Sequence, residues 1–362
     1  MWDLVIVGAG PAGASAALGA LAVDPGLSVL LVDRHDFPRD KTCGDGIAPH
    51  VFDLLAAVGV TGLVDDWTPV RRFVLTAGEV GVERDMARPN WVVPRAVFDH
   101  RLVEAAQSAG AELVRRRVRS LAELDGRFVI GADGAQSVVR RELGVPSGPV
   151  ALAIRGYAPT PPARAASQVI AYGAGRQPSY AWSFDRGDGW SNVGYGERLA
   201  ADRPHPTRAE LLSQLDALLP GATEGGGDWH GHHLPLTGWS WRPPKSTVLL
   251  AGDAAGLINP MTGEGIYYAV ATGLLAGRAA AESLQSKQDP SRRYNRSVRK
   301  LLGRHIRHTA LTAYLTNSSQ VLTRGIRAAA ADQAVFDDLV ELGLAEGTIT
   351  PRLLRGLLAA RR

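Results

Sequence analysis

The first apolar runs of the chain predict a strand, a helix and a second strand. Residues 4–10 read "LVIVGAG", an apolar run that ends in glycines, residues 11–22 are rich in alanine, and residues 27–33 read "LSVLLVD". An apolar run, a glycine turn, a helix-forming segment and a second apolar run are typical of a βαβ unit. We therefore expect residues 4–33 to form one such unit.

The pattern changes further along the chain. Residues 95–111 have helical periodicity and lead into short strands around 112–132, whereas residues 148–245 contain short β-like runs interrupted by proline and glycine. Residues 247–280 return to strand, glycine turn and helix, and the chain from about 282 reads as helical. This order predicts an α/β protein with a second, sheet-rich domain and a helical C-terminal region.

Length and composition limit the function classes. With 362 residues, of which 45% are hydrophobic, the chain can bury a sizeable core, and we expect two closely connected domains. A formal net charge of +4 suits anionic ligands but is too small to predict a nucleic-acid partner. The single cysteine excludes an internal disulfide framework and a cysteine-based zinc site. We expect a monomer with no bound metal.

The start of the chain and its apolar runs predict the cellular location. The N-terminus begins directly with a strand, and its apolar run is too short for a signal peptide. No stretch approaches the roughly 18–20 uninterrupted apolar residues of a membrane span. We expect a cytoplasmic protein and leave open a peripheral contact with a membrane. The basic run over residues 292–307 is expected to be a solvated helical face, with membrane contact as the alternative.

Three glycines after the first predicted strand form the strongest local motif. Gly8, Gly10 and Gly13 follow a strand and precede a helix as GxGxxG. The first permits a tight turn, the second lets the backbone approach a pyrophosphate, and the third lets helix and strand pack closely. Asp33, at the end of the second strand, can bind a pair of ribose hydroxyls. This arrangement predicts a dinucleotide site.

Two later segments favour FAD over a nicotinamide cofactor. Asp133 and Gly134 follow one predicted strand, and Gly252 and Asp253 follow another, before the glycine-bounded turn "TGEGI" opens a helix. An FAD bound in an extended form uses both segments, because Asp253 can hold a ribityl hydroxyl and the amides of the helix start can face the pyrimidine edge of the flavin. The helix N-terminus stabilises negative charge on the reduced flavin there.

Longer segments around these motifs resemble a known family. The succession of GxGxxG, DG and GD is similar to the flavoprotein class of the aromatic hydroxylases. Within this class, "DRHDFPRDKTCGDG", "YAWSFDRGDGWSNVGYG" and "GDAAGLINPMTGEGIYYA" resemble the geranylgeranyl reductase family. That family's YxWxFP motif and the GxG after it are matched at Tyr180, Trp182, Phe184, Gly194 and Gly196. The resemblance covers residues 1 to about 285, with Asp185 where the family usually has proline and with a short C-terminal region.

The resemblance implies a Rossmann-like FAD-binding domain with an inserted antiparallel-sheet substrate domain and a helical C-terminal region. The implied boundaries are 1–70, 93–147 and 246–285 for the FAD-binding domain, 71–92 and 148–245 for the substrate domain, and 286–362 for the C-terminal region. The residues implied to contact FAD are Gly8, Gly10, Pro11, Ala12, Gly13, Asp33, Arg34, Arg39, Lys41, Cys43, Gly44, Arg95, Val118, Asp133, Gly252, Asp253, Pro260, Gly263, Glu264, Gly265 and Ile266. Those implied to bind an apolar small-molecule substrate are Tyr180, Trp182, Phe184, Gly194 and Gly196.

The chemical roles of several of these residues stay open at this point. In the family that the chain resembles, the loop after the second strand crosses toward the isoalloxazine and a cysteine recurs in it, so Cys43 is either a catalytic residue or a small buried apolar residue. Arg95 is either a flavin contact or a solvated charge. Tyr180, Trp182 and Phe184 alternate and share one strand face, which is either core or the wall of a substrate tunnel.

Two further patterns predict no chemistry. His230, His232 and His233 lie in "WHGHHLP", which is a weak metal pattern, and we expect them to be loop residues. Trp239 and Trp241 also alternate, and we expect them to pack in the core.

The resemblance implies an FAD-dependent oxidoreductase that reduces carbon–carbon double bonds of a prenyl or similarly apolar substrate. Reduced FAD would deliver hydride and an acid would supply the proton. The sequence contains no second GxGxxG, so a separate NADPH domain is not expected. The electron donor would then be either NAD(P)H that binds transiently or a reduced carrier protein. The alternatives are an FAD-dependent monooxygenase or halogenase of a small aromatic or natural product, and a flavin-carrying binding protein. A halogenase would be expected to show WxWxIP, where this chain has "YAWSFD".

Overall fold

The computed structural model describes residues 1–175, 177–200, 202–239, 241–242, 244 and 246–360. These residues form thirteen strands and ten α-helices. The strands are β1 (Trp2–Val7), β2 (Val29–Asp33), β3 (Gly46–Ile47), β4 (Val70–Ala77), β5 (Val80–Val92), β6 (Glu112–Arg115), β7 (Gly126–Gly131), β8 (Val150–Pro159), β9 (Ser167–Tyr172), β10 (Ser179–Asp185), β11 (Trp190–Arg198), β12 (Gly227–Pro235) and β13 (Leu249–Leu250). The helices are α1 (Pro11–Leu21), α2 (Pro49–Ala56), α3 (Arg95–Ser108), α4 (Val138–Glu142), α5 (Arg208–Leu218), α6 (Ile266–Ser286), α7 (Pro290–Leu315), α8 (Ser319–Ala331), α9 (Gln333–Leu344) and α10 (Pro351–Ala359).

The first sheet is parallel and carries the predicted βαβ unit. Its five strands lie in the order β13-β7-β1-β2-β6, and every pairing is parallel. Strand β2 is buried along its whole length, as continuous apolar strands of parallel sheets usually are. Helices α1 and α6 cross at close range, since a Cβ on Gly277 would lie 1.8 Å from the carbonyl oxygen of Ala16. The small residues of both helices are therefore required for their packing.

The second sheet has eight strands in the order β12-β8-β11-β10-β9-β4-β5-β3. All of its pairings are antiparallel except the one between β4 and β9. Strand β3 follows directly after the loop over residues 37–45, so this loop leaves the first sheet at β2 and enters the second sheet. Strand β3 thus belongs to the second sheet, although it falls within residues 1–70. Lys245, the last residue of the predicted substrate domain, lies outside the described residues.

The C-terminal helices cover one face of the second sheet. Phe336 of α9 contacts Phe73 of β4 with ring centroids 6.4 Å apart, and Ile326 of α8 packs in the same buried cluster. Asn259 ties these helices to the loop before α6, because its Nδ2 atom donates to the carbonyl oxygens of Leu342 and Gly343 at 3.1 Å. The two sheets and the helical C-terminal region confirm the predicted α/β class. Among the described residues, every helix is too short or too polar to cross a membrane.

Candidate active site

One continuous cavity of about 660 Å³ lies between the two sheets and the C-terminal helices. Its lining comes from the turn between β1 and α1, the loop after β2, the start of α6, strands β9 and β10, and helices α7 to α10. A volume of several hundred cubic ångströms is typical of sites for cofactors and small molecules. Because the lining runs from the first sheet past the second sheet to the C-terminal helices, the cavity suits a ligand in an extended form.

The glycine turn at one end of the cavity leaves the start of α1 open. Gly8 has φ of +97°, and a Cβ there would lie 2.3 Å from the carbonyl oxygen of Ala132. Gly13 packs against the same turn, because its Cβ would lie 1.8 Å from the carbonyl oxygen of Gly8. Gly10 is the N-cap of α1, no side chain caps the helix, and its first turn holds no acidic residue. The free N–H groups and the helix dipole therefore suit a pyrophosphate.

Asp33 both organises this turn and lines the cavity. One of its carboxylate oxygens accepts a hydrogen bond from the Ala9 N–H at 2.8 Å and the other from the His35 N–H at 2.9 Å. Arg34 and Val118 line the same end. These groups fit the adenosine half of a dinucleotide.

The loop after β2 brings two cations to the cavity. The Nη1 atom of Arg39 lies 3.3 Å from a carboxylate oxygen of Asp99, and the Nζ atom of Lys41 lies 2.9 Å from Oδ2 of Asp253. Burial alone would raise the pKa of Asp253, but the charge and hydrogen bond of Lys41, together with smaller contributions from His232 and Arg95, outweigh burial and hold this pKa below its usual value. Asp253 is therefore a carboxylate that can accept hydrogen bonds from hydroxyl groups.

Replacing Asp253 with alanine is expected to weaken FAD retention by about 1–3 kcal/mol, the range for a lost hydrogen bond to a buried charged group. This loss corresponds to a roughly 5- to 150-fold increase in the dissociation constant. Titration of the apoprotein with FAD, followed by flavin fluorescence, measures it. The apoprotein should keep its fold by circular dichroism, and an unchanged affinity would remove Asp253 from the site.

Arg95 is buried instead of solvated. Its side chain is 3% exposed and donates two hydrogen bonds to Asp99, at 2.6 and 2.7 Å, within the first turns of α3. It also lines the cavity near Cys43. The alternative of a solvated charge is thus wrong, and contact with the flavin stays a prediction.

The start of α6 supplies a carboxyl group of unusual acidity. Glu264 lines the cavity, and its Oε1 atom accepts a hydrogen bond from the Tyr267 N–H at 2.9 Å. Burial raises the pKa of Glu264 to about 7, although the amides of Tyr267 and Ile266 oppose this rise. A carboxyl group with this raised pKa keeps its proton to higher pH than an ordinary glutamate does and can give it up in a reaction near neutral pH.

The aromatic residues of β10 line the other part of the cavity. Tyr180, Trp182 and Phe184 are all lining residues, so their shared face belongs to the cavity wall. Gly194 pairs with Trp182 and lies beneath its indole, where a Cβ would be 2.3 Å from Cζ2. Gly196 lines the cavity, whereas Gly194, also predicted to bind substrate, does not line it and supports the wall from beneath Trp182. The Tyr180 hydroxyl donates to the carbonyl oxygen of Thr262 and so joins the wall to the loop before α6.

Three predicted FAD contacts do not line the cavity. Gly13 and Gly252 support it through close backbone packing, since a Cβ on Gly252 would lie 3.1 Å from the Cβ of Ala12. Pro260 is also absent from the lining, although its neighbours Met261 and Thr262 belong to it. The other predicted contacts do line it: Gly8, Gly10, Pro11, Ala12, Asp33, Arg34, Arg39, Lys41, Cys43, Gly44, Arg95, Val118, Asp133, Asp253, Gly263, Glu264, Gly265 and Ile266.

Cys43 is held in the cavity wall by a buried network that the sequence did not reveal. Asn192 of β11 donates through Nδ2 to the carbonyl oxygen of Cys43 and to Oδ2 of Asp45, both at 2.8 Å, and accepts from Trp182 Nε1 at 2.8 Å. Tyr157 donates to Asp45 at 2.6 Å, and burial raises the pKa of Asp45 to about 6. Burial also raises the pKa of Cys43, so its thiol stays protonated. The network fixes the cysteine loop against the aromatic wall.

His232 is a cavity residue that sequence reasoning placed in a loop. All three histidines of "WHGHHLP" lie on strand β12, so the loop prediction is wrong. His232 lines the cavity, and its buried Nε2 atom has no hydrogen-bond partner among the described residues. Burial and the charge of Lys41 lower its pKa to about 4, which keeps the imidazole neutral. The alternation of His230 and His232 along an extended segment was the signal that could have revealed this position.

Two other departures from the sequence-based picture have structural reasons. Asp185, which replaces the family's usual proline, accepts hydrogen bonds from the Ala166 N–H at 2.6 Å and the Gly187 N–H at 3.0 Å, so its carboxylate holds the strand end.

Trp241 donates to the carbonyl oxygen of Ala255 at 2.7 Å, whereas Trp239 is 57% exposed. The expectation that both tryptophans pack in the core is therefore wrong for Trp239.

Comparison with known proteins agrees with this geometry. A family model described as FAD binding domain matches residues 1–121. Menaquinone reductase of Mycobacterium tuberculosis (strain ATCC 25618 / H37Rv) is 33% identical over 325 residues, which cover 79% of this chain and 77% of that protein. Digeranylgeranylglycerophospholipid reductase 2 of Methanopyrus kandleri is 31% identical over 321 residues, which cover 78% of this chain and 78% of that protein. A geranylgeranyl bacteriochlorophyll reductase-like protein from Thermoplasma acidophilum shares the fold with a TM-score of 0.81 at 20% identity, over 98% of this chain and 95% of that chain.

The fold, the cavity and these likenesses define an FAD-dependent oxidoreductase. The glycine turn, the carboxylate after β2 and the start of α6 fit an extended FAD, as predicted from the motifs. The chain belongs to the geranylgeranyl reductase family of these enzymes. The family, the enzyme class and the cofactor are thus confirmed, while the part that each residue plays in holding FAD stays a prediction.

Proposed function

We propose that this enzyme reduces carbon–carbon double bonds in the prenyl chain of an apolar lipid. The observation that carries the proposal is the cavity beyond Cys43, whose wall continues from Tyr180 and Trp182 to aliphatic side chains such as Leu322, Val340 and Leu357. Such a wall suits a hydrocarbon chain, whereas a hydroxylase usually needs polar groups to orient a phenolic ring. The two relatives are named as reductases of menaquinone and of digeranylgeranylglycerophospholipid, which supports a polyprenyl lipid.

The chain's own residues would orient the alkene and supply a proton. FAD, when bound and reduced, supplies the hydride that goes to one alkene carbon. The aromatic wall of β10 holds the hydrocarbon chain, and the cysteine loop closes the cavity against water. Glu264 is proposed to donate the proton from its carboxyl group to the other alkene carbon, because it combines a cavity position with a pKa of about 7. Cys43 stays a second candidate for this proton.

The proposal includes a cellular setting. The enzyme would work in the cytoplasm as a monomer that meets its substrate at a membrane surface. Its electrons would come from NAD(P)H or from a reduced carrier protein, and the absence of a second GxGxxG in the sequence supports transient binding of the donor.

The decisive experiment is a single turnover under strict anaerobiosis. Holoenzyme reduced with dithionite and mixed with a detergent-solubilised polyprenyl phospholipid, which has no electron acceptor other than its double bonds, is expected to return to the oxidised flavin spectrum. The product should gain the mass of one H₂ for each bond reduced, as mass spectrometry would show. If reoxidation needs dioxygen and the product is hydroxylated or halogenated, the enzyme is instead a monooxygenase or halogenase.

A further inference from the structure

The aliphatic end of the cavity lies at the protein surface, beside the ends of α7 and α10. Leu315 at the end of α7 and Leu354 of α10 both line the cavity, yet they are 41% and 50% exposed. This part of the surface, where lining side chains also reach solvent, is called the mouth below.

Exposed apolar side chains are concentrated at this mouth. The large hydrophobic residues that are exposed among the described residues are Met1, Trp190, Trp239, Tyr314, Leu315, Leu354 and Leu358. Four of these seven lie in the last turn of α7 or on α10, with Tyr314 68% and Leu358 69% exposed. Clustering of this kind on one face marks an interaction site, whereas single exposed hydrophobic residues are ordinary.

Helix α10 has a second apolar stripe that its packing does not use. Leu353 and Leu357 pack against Ala328 and Val335 of α8 and α9, so the inner face of α10 is already satisfied. Leu354 and Leu358 are four residues apart and share the outer face. This outward stripe has no partner among the described residues, although its exposure to water is unfavourable.

Cations lie on the helices that form the mouth. Arg324 follows the cavity-lining Val321 by three residues on α8, and Arg355 precedes Leu358 by three residues on α10, so each shares a helix side with a residue of the mouth. Neither guanidinium pairs with a carboxylate of the described residues. On α7, Arg307 precedes Tyr314 by seven residues, a spacing that places both on one side of the helix. An apolar centre with arginines around it matches the hydrocarbon edge and the anionic headgroups of a bilayer.

We infer that the mouth face, defined as Tyr314, Leu315, Leu354 and Leu358 with Arg307, Arg324 and Arg355 around them, docks on a membrane that contains anionic lipids. A prenyl lipid can then enter the cavity from the bilayer without crossing water. The inference rests on the proposed function for the identity of the substrate. This face lies at the end of α7 and on α10, and of the basic run over residues 292–307 only Arg307 belongs to it.

Cosedimentation with vesicles tests the docking directly. Holoprotein is expected to bind vesicles of phosphatidylglycerol mixed with phosphatidylcholine more tightly than vesicles of phosphatidylcholine alone. The double variant Tyr314→Ser, Leu358→Ser should lose about tenfold or more of this binding, because two apolar side chains no longer insert. The double variant Arg324→Gln, Arg355→Gln should lose roughly fivefold per arginine on the mixed vesicles only.

Trp190→Ser is the matched control. Trp190 is 44% exposed and lies at the start of β11. The other end of the β10–β11 pair is the one near the mouth, because the Gln177 N–H just before β10 donates to Asn317 just beyond α7. Trp190 is therefore an exposed aromatic residue away from the mouth. This variant should bind vesicles like the wild type. Equal losses in the control and in Tyr314→Ser, Leu358→Ser, or no vesicle binding by the wild type, would overturn the inference. A dimer of the wild type that dissociates in the double variant would identify a second copy as the occupant and would also overturn it.

The reduction assay tests the proposed function separately from the docking. Reduction of a detergent-solubilised polyprenyl lipid should be unchanged in Tyr314→Ser, Leu358→Ser, because neither residue lines the cavity. Vesicle binding without reduction would contradict the proposed function alone, and reduction without vesicle binding would contradict the docking alone.

Discussion

Replacing Glu264 with glutamine is expected to lower the rate of alkene reduction by about 10²- to 10⁴-fold, the usual contribution of a general acid. Glutamine keeps the size of the side chain and can still accept the hydrogen bond from the Tyr267 N–H, but it cannot release a proton. The variant should bind FAD and keep the flavin spectrum. Single-turnover reoxidation of reduced enzyme by substrate measures the loss.

The pH dependence distinguishes a proton donor from a residue that only shapes the site. Burial raises the pKa of Glu264 from 4.5 to about 7, so activity that needs the protonated carboxyl should fall as the pH rises through about 7. Because the folded protein holds this proton more tightly than the unfolded chain, the proton contributes to the free energy of unfolding below pH 4.5, and this contribution is lost as the pH rises through about 7. Above that pH the Glu264→Gln variant should be no less stable than the wild type. The alkaline decline in rate should be missing from the variant.

Glu346→Gln is the matched control for this substitution. Glu346 is exposed and accepts a hydrogen bond from the Tyr267 hydroxyl at 3.3 Å, yet it does not line the cavity. Its rate and pH profile should equal those of the wild type. A Glu264→Gln enzyme with full activity and an unchanged profile would exclude Glu264 as the donor and would leave Cys43 to be tested.

Replacing Gly10 with valine is expected to abolish FAD binding in a protein that still folds. The side chain would occupy the space through which a pyrophosphate approaches the start of α1, and we expect a loss of about 1,000-fold or more, equal to ~4.1 kcal/mol. The fold should tolerate the change because a Cβ on Gly10 would meet only the flexible end of Arg39, at 3.2 Å. Equilibrium dialysis with FAD measures the loss of affinity, and thermal unfolding of the apoprotein shows whether the fold is kept.

Gly303→Ala provides the comparison for this variant. Gly303 lies in α7, and a Cβ there would meet its nearest neighbour, the Cβ of Arg299, at an ordinary distance of 3.8 Å. This protein should be yellow after purification and slightly more stable, since alanine is favoured over glycine within helices. A yellow Gly10→Val protein would show that the dinucleotide lies elsewhere.

Short-range patterns predicted the parts of the site that a single segment forms. The positive φ of Gly8 and the free start of α1 follow from GxGxxG, because steric limits on the backbone act within a few residues. Alternation correctly placed Tyr180, Trp182 and Phe184 on one face. It could not decide between core and cavity, since that depends on what packs opposite.

Contacts between distant segments were beyond the sequence patterns. Asn192 gave no signal of its own, and only the fold brings it to the carbonyl oxygen of Cys43. The C-terminal helices look like ordinary amphipathic segments, and nothing local indicates that they complete the cavity. His232 was assigned to a loop because Gly231 and the polar histidines around it do not form the apolar alternation by which a strand is recognised.

The loop over residues 37–45 has a consequence for how the enzyme uses its cofactor. It joins the two sheets and is fastened on both sides, through Lys41 to Asp253 and through Cys43 to Asn192. These contacts restrain the loop on both sides, so we expect a ligand beneath it to dissociate more slowly than the enzyme turns over. FAD would then behave as a permanently resident prosthetic group that is recharged in place, and only the lipid and the electron donor would come and go.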